Sequence, residues 1–240
     1  MAFSEAPYRH RFEDGTDADL PPGKVVCVGR NYADHIRELG NARPPEPVLF
    51  IKPVTALVAM EEPIRVDASL GTWHYETEIA VLVGTQLRRC EPAEARDAIA
   101  GVGLAFDFTL RELQSELKAA GQPWEKAKAF DGSCALSRFL HPGQVSGWDS
   151  LSLKLVRNGE RVQSGNSGQM LFPVIELLCY ISRFFTLLPG DVVLTGTPAG
   201  VGPLAQGDSL RAELDGQLRV ETSVVVVRGP GKNASGGGES

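Results

Sequence analysis

Long apolar runs, paired cysteines and an excess of positive charge are all missing from this sequence of 240 residues. No window approaches the roughly 18 consecutive apolar residues of a membrane-spanning helix, and the N-terminus lacks the apolar stretch of a signal peptide. The net charge of −6 and the absence of basic clusters argue against nucleic acid and anionic membranes as main partners. We therefore expect a soluble, cytoplasmic protein that binds neither.

Cysteine spacing and glycine spacing argue against three further classes of protein. The four cysteines form no CxxC pair, which is typical of buried thiols in a reducing compartment rather than of a disulfide frame or a zinc site. Neither a GxGxxG nor a P-loop fingerprint is present, so a doubly wound nucleotide-binding fold is not expected. Small-molecule chemistry is the remaining expectation.

Many short β-type runs, separated by Gly and Pro turns, predict a β-rich α+β fold. We divide the chain into an N-terminal extension (1–23), which is either loosely attached or an edge segment, a single catalytic domain (24–228) and a disordered Gly/Ser-rich tail (229–240). Asn158-Gly159 and Asp215-Gly216 predict hairpin turns. Helices are predicted at 32–39, 92–100 and 173–188, and another helix is expected after Asp107, with a capping box at 109–112.

Two acidic residues one position apart carry the strongest chemical signal. Glu76 and Glu78 lie in the β-type run 73–83, where alternation places both side chains on one face with His74. Two like charges on one strand face destabilise it unless a cation lies between them. Asp107, at the end of the apolar run 101–106, adds a third carboxylate. Three oxygen ligands suit Mg²⁺ or Mn²⁺, whereas a solvated face with a salt bridge is the alternative.

Further motifs supply candidate acid–base and anion-binding groups. His35 and Glu38 are three residues apart on a short predicted helix, so they form either a proton-accepting dyad or a surface pair. Lys128, among small and aromatic neighbours, either stabilises an enolate or is a surface charge. Thr197 lies in the Gly/Thr/Pro-rich segment 194–203, which either binds an anion or is only a tight connection.

Five segments of the chain together resemble the fumarylacetoacetate hydrolase family, and most closely its small, single-domain acylpyruvase and fumarylpyruvate hydrolase-like members. The segments are 27–35, 47–53, 74–78, 127–130 and 194–202, and the resemblance runs from about 24 to 227. It implies a mixed β-sandwich or β-roll, usually a homodimer, with Mg²⁺ or Mn²⁺ at the three carboxylates.

The resemblance also implies roles for individual residues. His35 and Glu38 would activate a water from a lid segment at about 30–40, and Lys128 would be the active-site lysine. The residues that fall where relatives contact the carboxylate and keto oxygens of a 2-oxo acid substrate are Arg30, Arg111, Gln114 and Thr197. Arg111 and Gln114 are also one helical turn apart, which would direct both towards the pocket of Asp107.

The expected activity is hydrolysis of a C–C bond in 2,4-dioxo acids of the acylpyruvate or fumarylpyruvate type, yielding pyruvate and a carboxylic acid. The same site could instead decarboxylate or tautomerise oxaloacetate, or isomerise a hydroxymuconate-type diacid. A non-catalytic metal- or ligand-binding protein that keeps the fold is the alternative from another class.

Overall fold

Fifteen β-strands and five α-helices make up the part of the chain that the computed structural model describes, residues 7–145 and 147–227. The first eight strands are β1 (Val25–Gly29), β2 (Val48–Lys52), β3 (Leu57–Ala59), β4 (Ile64–Asp67), β5 (Trp73–Tyr75), β6 (Thr77–Val83), β7 (Ile99–Asp107) and β8 (Thr109–Leu110). The others are β9 (Cys134–Leu136), β10 (Ser152–Arg157), β11 (Glu160–Asn166), β12 (Val192–Leu194), β13 (Gly202–Pro203), β14 (Ser209–Leu214) and β15 (Leu218–Val227). The helices are α1 (Ala33–Glu38), α2 (Pro92–Asp97), α3 (Arg111–Ala119), α4 (Glu125–Lys128) and α5 (Val174–Phe184).

The strands form three sheets. A mixed seven-stranded sheet has the order β2-β1-β12-β6-β7-β9-β3, a five-stranded sheet the order β11-β10-β14-β15-β4, and a three-stranded sheet the order β13-β5-β8. Ile79 and Val81 of β6 share one core cluster with Leu153 and Leu155 of β10, so the two larger sheets pack face to face. This arrangement confirms the predicted mixed β-sandwich or β-roll.

Both faces of the seven-stranded sheet are buried, which explains why β6 is apolar without alternation. The odd-numbered residues of β6 face the five-stranded sheet, whereas Ala80 and Leu82 of β6 belong to a second cluster on the opposite face. The N-terminal segment covers that second face, because Phe12 and Leu20 pack against it. The described part of the extension is therefore closely attached rather than loose.

His10 attaches this segment to the rest of the domain. Its side chain is 2% exposed, and its Nε2 lies 2.9 Å from the main-chain oxygen of Gly190. The ring also packs edge-on against Phe139.

The structure confirms the two predicted hairpin turns but not the predicted capping box. Both hairpins are confirmed, because Asn158 and Asp215 have φ values of 52° and 54° in turns that join antiparallel strands. The capping box is wrong: Thr109 lies in β8, its hydroxyl donates to the main-chain oxygen of Asp107, and α3 begins only at Arg111. The helix predicted at 92–100 is shorter because β7 begins at Ile99.

The tail predicted at 229–240 lies outside the described residues, as do residues 1–6. In the described part of the chain, no helix has the length and apolar character needed to span a membrane.

The buried histidine makes folding pH-dependent. Burial lowers the pKa of His10, although its hydrogen bond to Gly190 acts in the opposite direction. The unfolded chain takes up this proton near pH 6.5 and the folded chain resists it, so stability is complete above about pH 6.5 and falls below it. We expect His10→Gln to lose less of its unfolding free energy than the wild type between about pH 7 and pH 5, measured by urea denaturation. Parallel curves for the two proteins would contradict this.

Candidate active site

The register between β6 and β7 brings three carboxylates together. Thr77 pairs with Phe106, and the main-chain N–H of Asp107 donates to the main-chain oxygen of Glu76 over 2.8 Å. Glu78 pairs with Ala105, so alternation places the side chains of Glu78 and Asp107 on the same face. Oxygen atoms of Glu76, Glu78 and Asp107 all lie within 4.8 Å of one another. The structure therefore unites the carboxylates that the sequence grouped.

Glu76 occupies a point at which the chain changes sheets. The continuous strand predicted at 73–83 is wrong, because β5 ends at Tyr75 and β6 begins at Thr77. The strand β5 pairs with β8 and β13, whereas β6 pairs with β7 and β12, so each half satisfies its hydrogen bonds in a different sheet. Glu76 can therefore reach Asp107 without being part of either strand.

Lys128, at the end of α4, is hydrogen-bonded to the carboxylates. Its Nζ donates to Asp107 Oδ2 over 2.7 Å, to Glu76 Oε2 over 2.9 Å and to Thr109 Oγ1 over 2.6 Å. Arg111 pairs with the other oxygen of Glu76. Burial favours the neutral acid, but Lys128 and then Arg111 hold the pKa of Glu76 well below its usual value. Asp107 and Glu76 likewise raise the pKa of Lys128 against the effect of its burial.

Lys52 is a site residue that the sequence reasoning missed. It is completely buried, and its Nζ lies 2.8 Å from Asp107 Oδ1. It also donates to Ser133 O over 3.0 Å and to the main-chain oxygen of Lys128. The available signal was a lysine that closes the apolar run 48–51, since a buried lysine needs a carboxylate partner.

Glu78 differs from its two neighbours because none of the described residues forms an ion pair with it. Its Oε2 accepts a hydrogen bond of 2.6 Å from the main-chain N–H of Gly196. Burial, together with the charges of Asp107 and Glu76, raises the pKa of Glu78 well above its usual value. A divalent cation among the three carboxylates would supply the missing charge, and an all-oxygen donor set suits Mg²⁺ or Mn²⁺.

The predicted dyad is formed on α1. His35 Nδ1 lies 3.1 Å from Glu38 Oε2, and Glu38 Oε1 accepts a hydrogen bond of 3.0 Å from the main-chain N–H of Gly200. Gly200 has a φ of 99°, and a side chain there would collide with the main-chain oxygen of Val162. Glycine at this position therefore lets the loop after β12 pass close to β11, where its main-chain N–H holds Glu38.

The carboxylates face a cleft of about 100 Å³ between α1, α3 and the strand ends. All the predicted site residues line this cleft except Glu38, which lies behind His35. The Thr197 hydroxyl donates to Thr77 O over 2.8 Å and accepts from Gln163 Nε2 over 2.9 Å, so it also holds the loop in place. Cleft-lining residues that the sequence reasoning did not select include Asn41, Phe50, Ser115, Lys118 and Trp124.

Comparison with known proteins agrees with this geometry. The family model described as "Fumarylacetoacetate (FAA) hydrolase C-terminal" matches residues 24–225. The chain belongs to the fumarylacetoacetate hydrolase family. It is thus an enzyme of that family, and the resemblance inferred from the sequence is confirmed.

Individual members of the fumarylacetoacetate hydrolase family differ in their named activities. Oxaloacetate tautomerase YcgM of Escherichia coli (strain K12) is 51% identical over 210 residues, which cover 87% of this chain and 96% of that protein. Mitochondrial oxaloacetate tautomerase FAHD1 of Bos taurus is 42% identical over 200 residues, covering 83% and 90%. The structure of fumarylpyruvate hydrolase from Pseudomonas aeruginosa, in complex with Mn²⁺ and pyruvate, has a TM-score of 0.86 and 34% identity, covering 95% and 99%.

Metal binding to the three carboxylates should stabilise the fold. We expect Mn²⁺ at about 100 times its Kd to add about 2.7 kcal/mol to the unfolding free energy, because only the folded chain holds the carboxylates together. Glu78→Gln should reduce this gain sharply, measured as the change in Tm with and without Mn²⁺.

Glu78→Gln is a suitable variant because Glu78 has no ion-pair partner among the described residues, and the amide oxygen can still accept from Gly196. Glu116→Gln, on the exposed side of α3, is the matched control and should keep the full gain. Equal gains in both variants would rule out the carboxylate cluster as the binding site.

Proposed function

We propose that this chain is a divalent-metal-dependent oxaloacetate tautomerase, which interconverts the keto and enol forms of this four-carbon 2-oxo diacid. The observation that carries the proposal is a small, polar cleft in which one imidazole faces a cluster of carboxylates and cations. Pockets for drug-sized ligands usually measure about 300–1,000 Å³, so a cleft of about 100 Å³ favours a compact substrate. The names of the similar proteins support tautomerisation better than the acylpyruvate hydrolysis expected from the sequence.

Charge balance also supports a dianionic substrate. Glu76 and Asp107 contact three cations, Lys52, Lys128 and Arg111, whereas Glu78 contacts none of them. The cluster as a whole therefore contains three carboxylates and three cations. A divalent ion would add two positive charges, which match the two carboxylates of oxaloacetate. Mg²⁺ or Mn²⁺ held by Glu76, Glu78 and Asp107 would polarise the 2-keto oxygen and make the protons at C3 more acidic.

His35 supplies the base in this proposal. With Nδ1–H donating to Glu38, Nε2 is left as the acceptor that removes a proton from C3. Lys128 remains charged between Asp107 and Glu76, and its positive charge stabilises the enolate through space, because its three N–H donors are already hydrogen-bonded within the protein. The proton returns either to C3 or to the oxygen. No C–C bond breaks and no water attacks, so these groups suffice.

Fumarylpyruvate or acylpyruvate hydrolysis is the second candidate. It is favoured by the similarity to a fumarylpyruvate hydrolase and by a dyad that could equally take a proton from water. Oxaloacetate decarboxylation would use the same enolate stabilisation. Both reactions release pyruvate, whereas tautomerisation does not, so the products distinguish them.

We further propose that the enzyme acts in the cytoplasm as a homodimer. The cysteines are free thiols, and Cys27 and Cys134 are completely buried, which suits a reducing compartment. The dimer rests on the family resemblance, and sedimentation of the purified protein tests it.

Tautomerase activity is measured by starting from enol-oxaloacetate and consuming the keto form with malate dehydrogenase. We expect metal-dependent acceleration, and a loss of about 10²- to 10⁴-fold in kcat for His35→Asn, since a positioned base contributes that much. Lys126→Met, an exposed residue outside the cleft, is the control and should keep its activity. A parallel assay with lactate dehydrogenase detects pyruvate. Rapid pyruvate release without acceleration of the enol-to-keto step would refute the proposal in favour of cleavage or decarboxylation.

A further inference from the structure

We propose that Lys118 binds the distal carboxylate of a dicarboxylic substrate and so selects diacids over monoacids. This inference rests on the proposed function, because it assumes that the 2-oxo-carboxylate end of the substrate lies at the carboxylate cluster. Lys118 belongs to neither the metal-binding group nor the dyad.

The helix α3 extends from the carboxylate cluster to the mouth of the cleft. Arg111, Gln114 or Ser115, and Lys118 follow one another at intervals of three or four residues, so they lie on one face of the helix, and all of them line the cleft. Arg111 is at the inner end, where it pairs with Glu76. Lys118 is at the outer end and is exposed.

A hydrogen bond fixes the ammonium group of Lys118 across the mouth. Its Nζ donates to Asn41 Oδ1 over 2.9 Å. Asn41 follows α1, and its main-chain N–H donates to Ile36 O over 2.9 Å, which ties it to the end of that helix. An ammonium group has three donors, so it can contact Asn41 and a substrate carboxylate simultaneously.

The mouth carries an excess of positive charge. Arg30 lies in the turn between β1 and α1 with a φ of 59°, and like Lys118 it lines the cleft. In the part of the chain that the structure describes, no ion pair involves Arg30 or Lys118. Burial, followed by the charges of Arg30 and Arg111, lowers the pKa of Lys118, which supports their proximity. A carboxylate arriving here would meet cations without an internal competitor.

The decisive comparison uses oxaloacetate and its 4-methyl ester, which differ in the distal charge. With Mn²⁺-loaded protein we expect the wild type to bind oxaloacetate about 10-fold more tightly than the ester, as for a partly exposed hydrogen bond between charged groups. In Lys118→Met the ratio of the two Kd values should fall close to one, with KM for oxaloacetate rising and kcat nearly unchanged. Lys126→Met removes the same charge outside the cleft and should keep the wild-type ratio.

A second variant tests the same contact without removing the lysine. Asn41→Asp places a carboxylate beside Lys118 Nζ, so it should compete with the substrate and weaken oxaloacetate binding more than ester binding. Unchanged Kd ratios in both Lys118→Met and Asn41→Asp would overturn the inference.

The measurements separate this inference from the proposed tautomerase activity. If the wild type fails to accelerate tautomerisation but still shows the Lys118-dependent Kd ratio, the reaction is wrong and the carboxylate subsite stands. If tautomerisation proceeds but the ratio does not respond to Lys118, the subsite is wrong and the reaction stands.

Discussion

The burial of three carboxylates at the ends of β6 and β7 is the constraint on which the site depends. Carboxylates so far from water are stable only when cations and hydrogen-bond donors compensate for lost hydration. Lys52, Lys128 and Arg111 supply this compensation from β2, α4 and α3, and β2 is distant in sequence from the two helices. Removing one partner of such a pair typically costs about 3–5 kcal/mol because the other charge remains buried. Charge compensation therefore helps to hold these elements around the strand ends.

A single loop joins the two halves of the candidate site. In the loop after β12, Gly196 donates to Glu78 and Gly200 donates to Glu38. The loop is itself fixed through Thr197, whose hydroxyl donates to Thr77 O. The carboxylate cluster and the dyad are consequently held at a defined separation by one short stretch of main chain. The abundance of Gly and Thr in this loop reflects close main-chain approach, as well as any contact with an anion.

Much of the fold and site was predictable because the relevant signals are local. Asn158-Gly159 favours a turn with positive φ angles, and Glu76 and Glu78 are separated by a single residue, which indicates a shared cation. Lys52 was not predictable in the same way, since its partner Asp107 is distant in sequence and lies on β7, four strands away from β2 in the order of the sheet. The change of sheet at Glu76 was also invisible, because a β-type pattern does not show which partner each half will pair with. The grouping of the carboxylates survived that error, because both glutamates remain beside Asp107.

The N-terminal segment shows that the family match and the fold have different boundaries here. The family match begins at residue 24, yet the outer face of the seven-stranded sheet is covered by Tyr8, Phe12 and Leu20. A chain that began at residue 24, where the family match begins, would retain every candidate site residue. It would also expose a continuous apolar surface that water disfavours and other molecules can cover. Such a truncated enzyme would self-associate through this surface, although its candidate site residues would all be present.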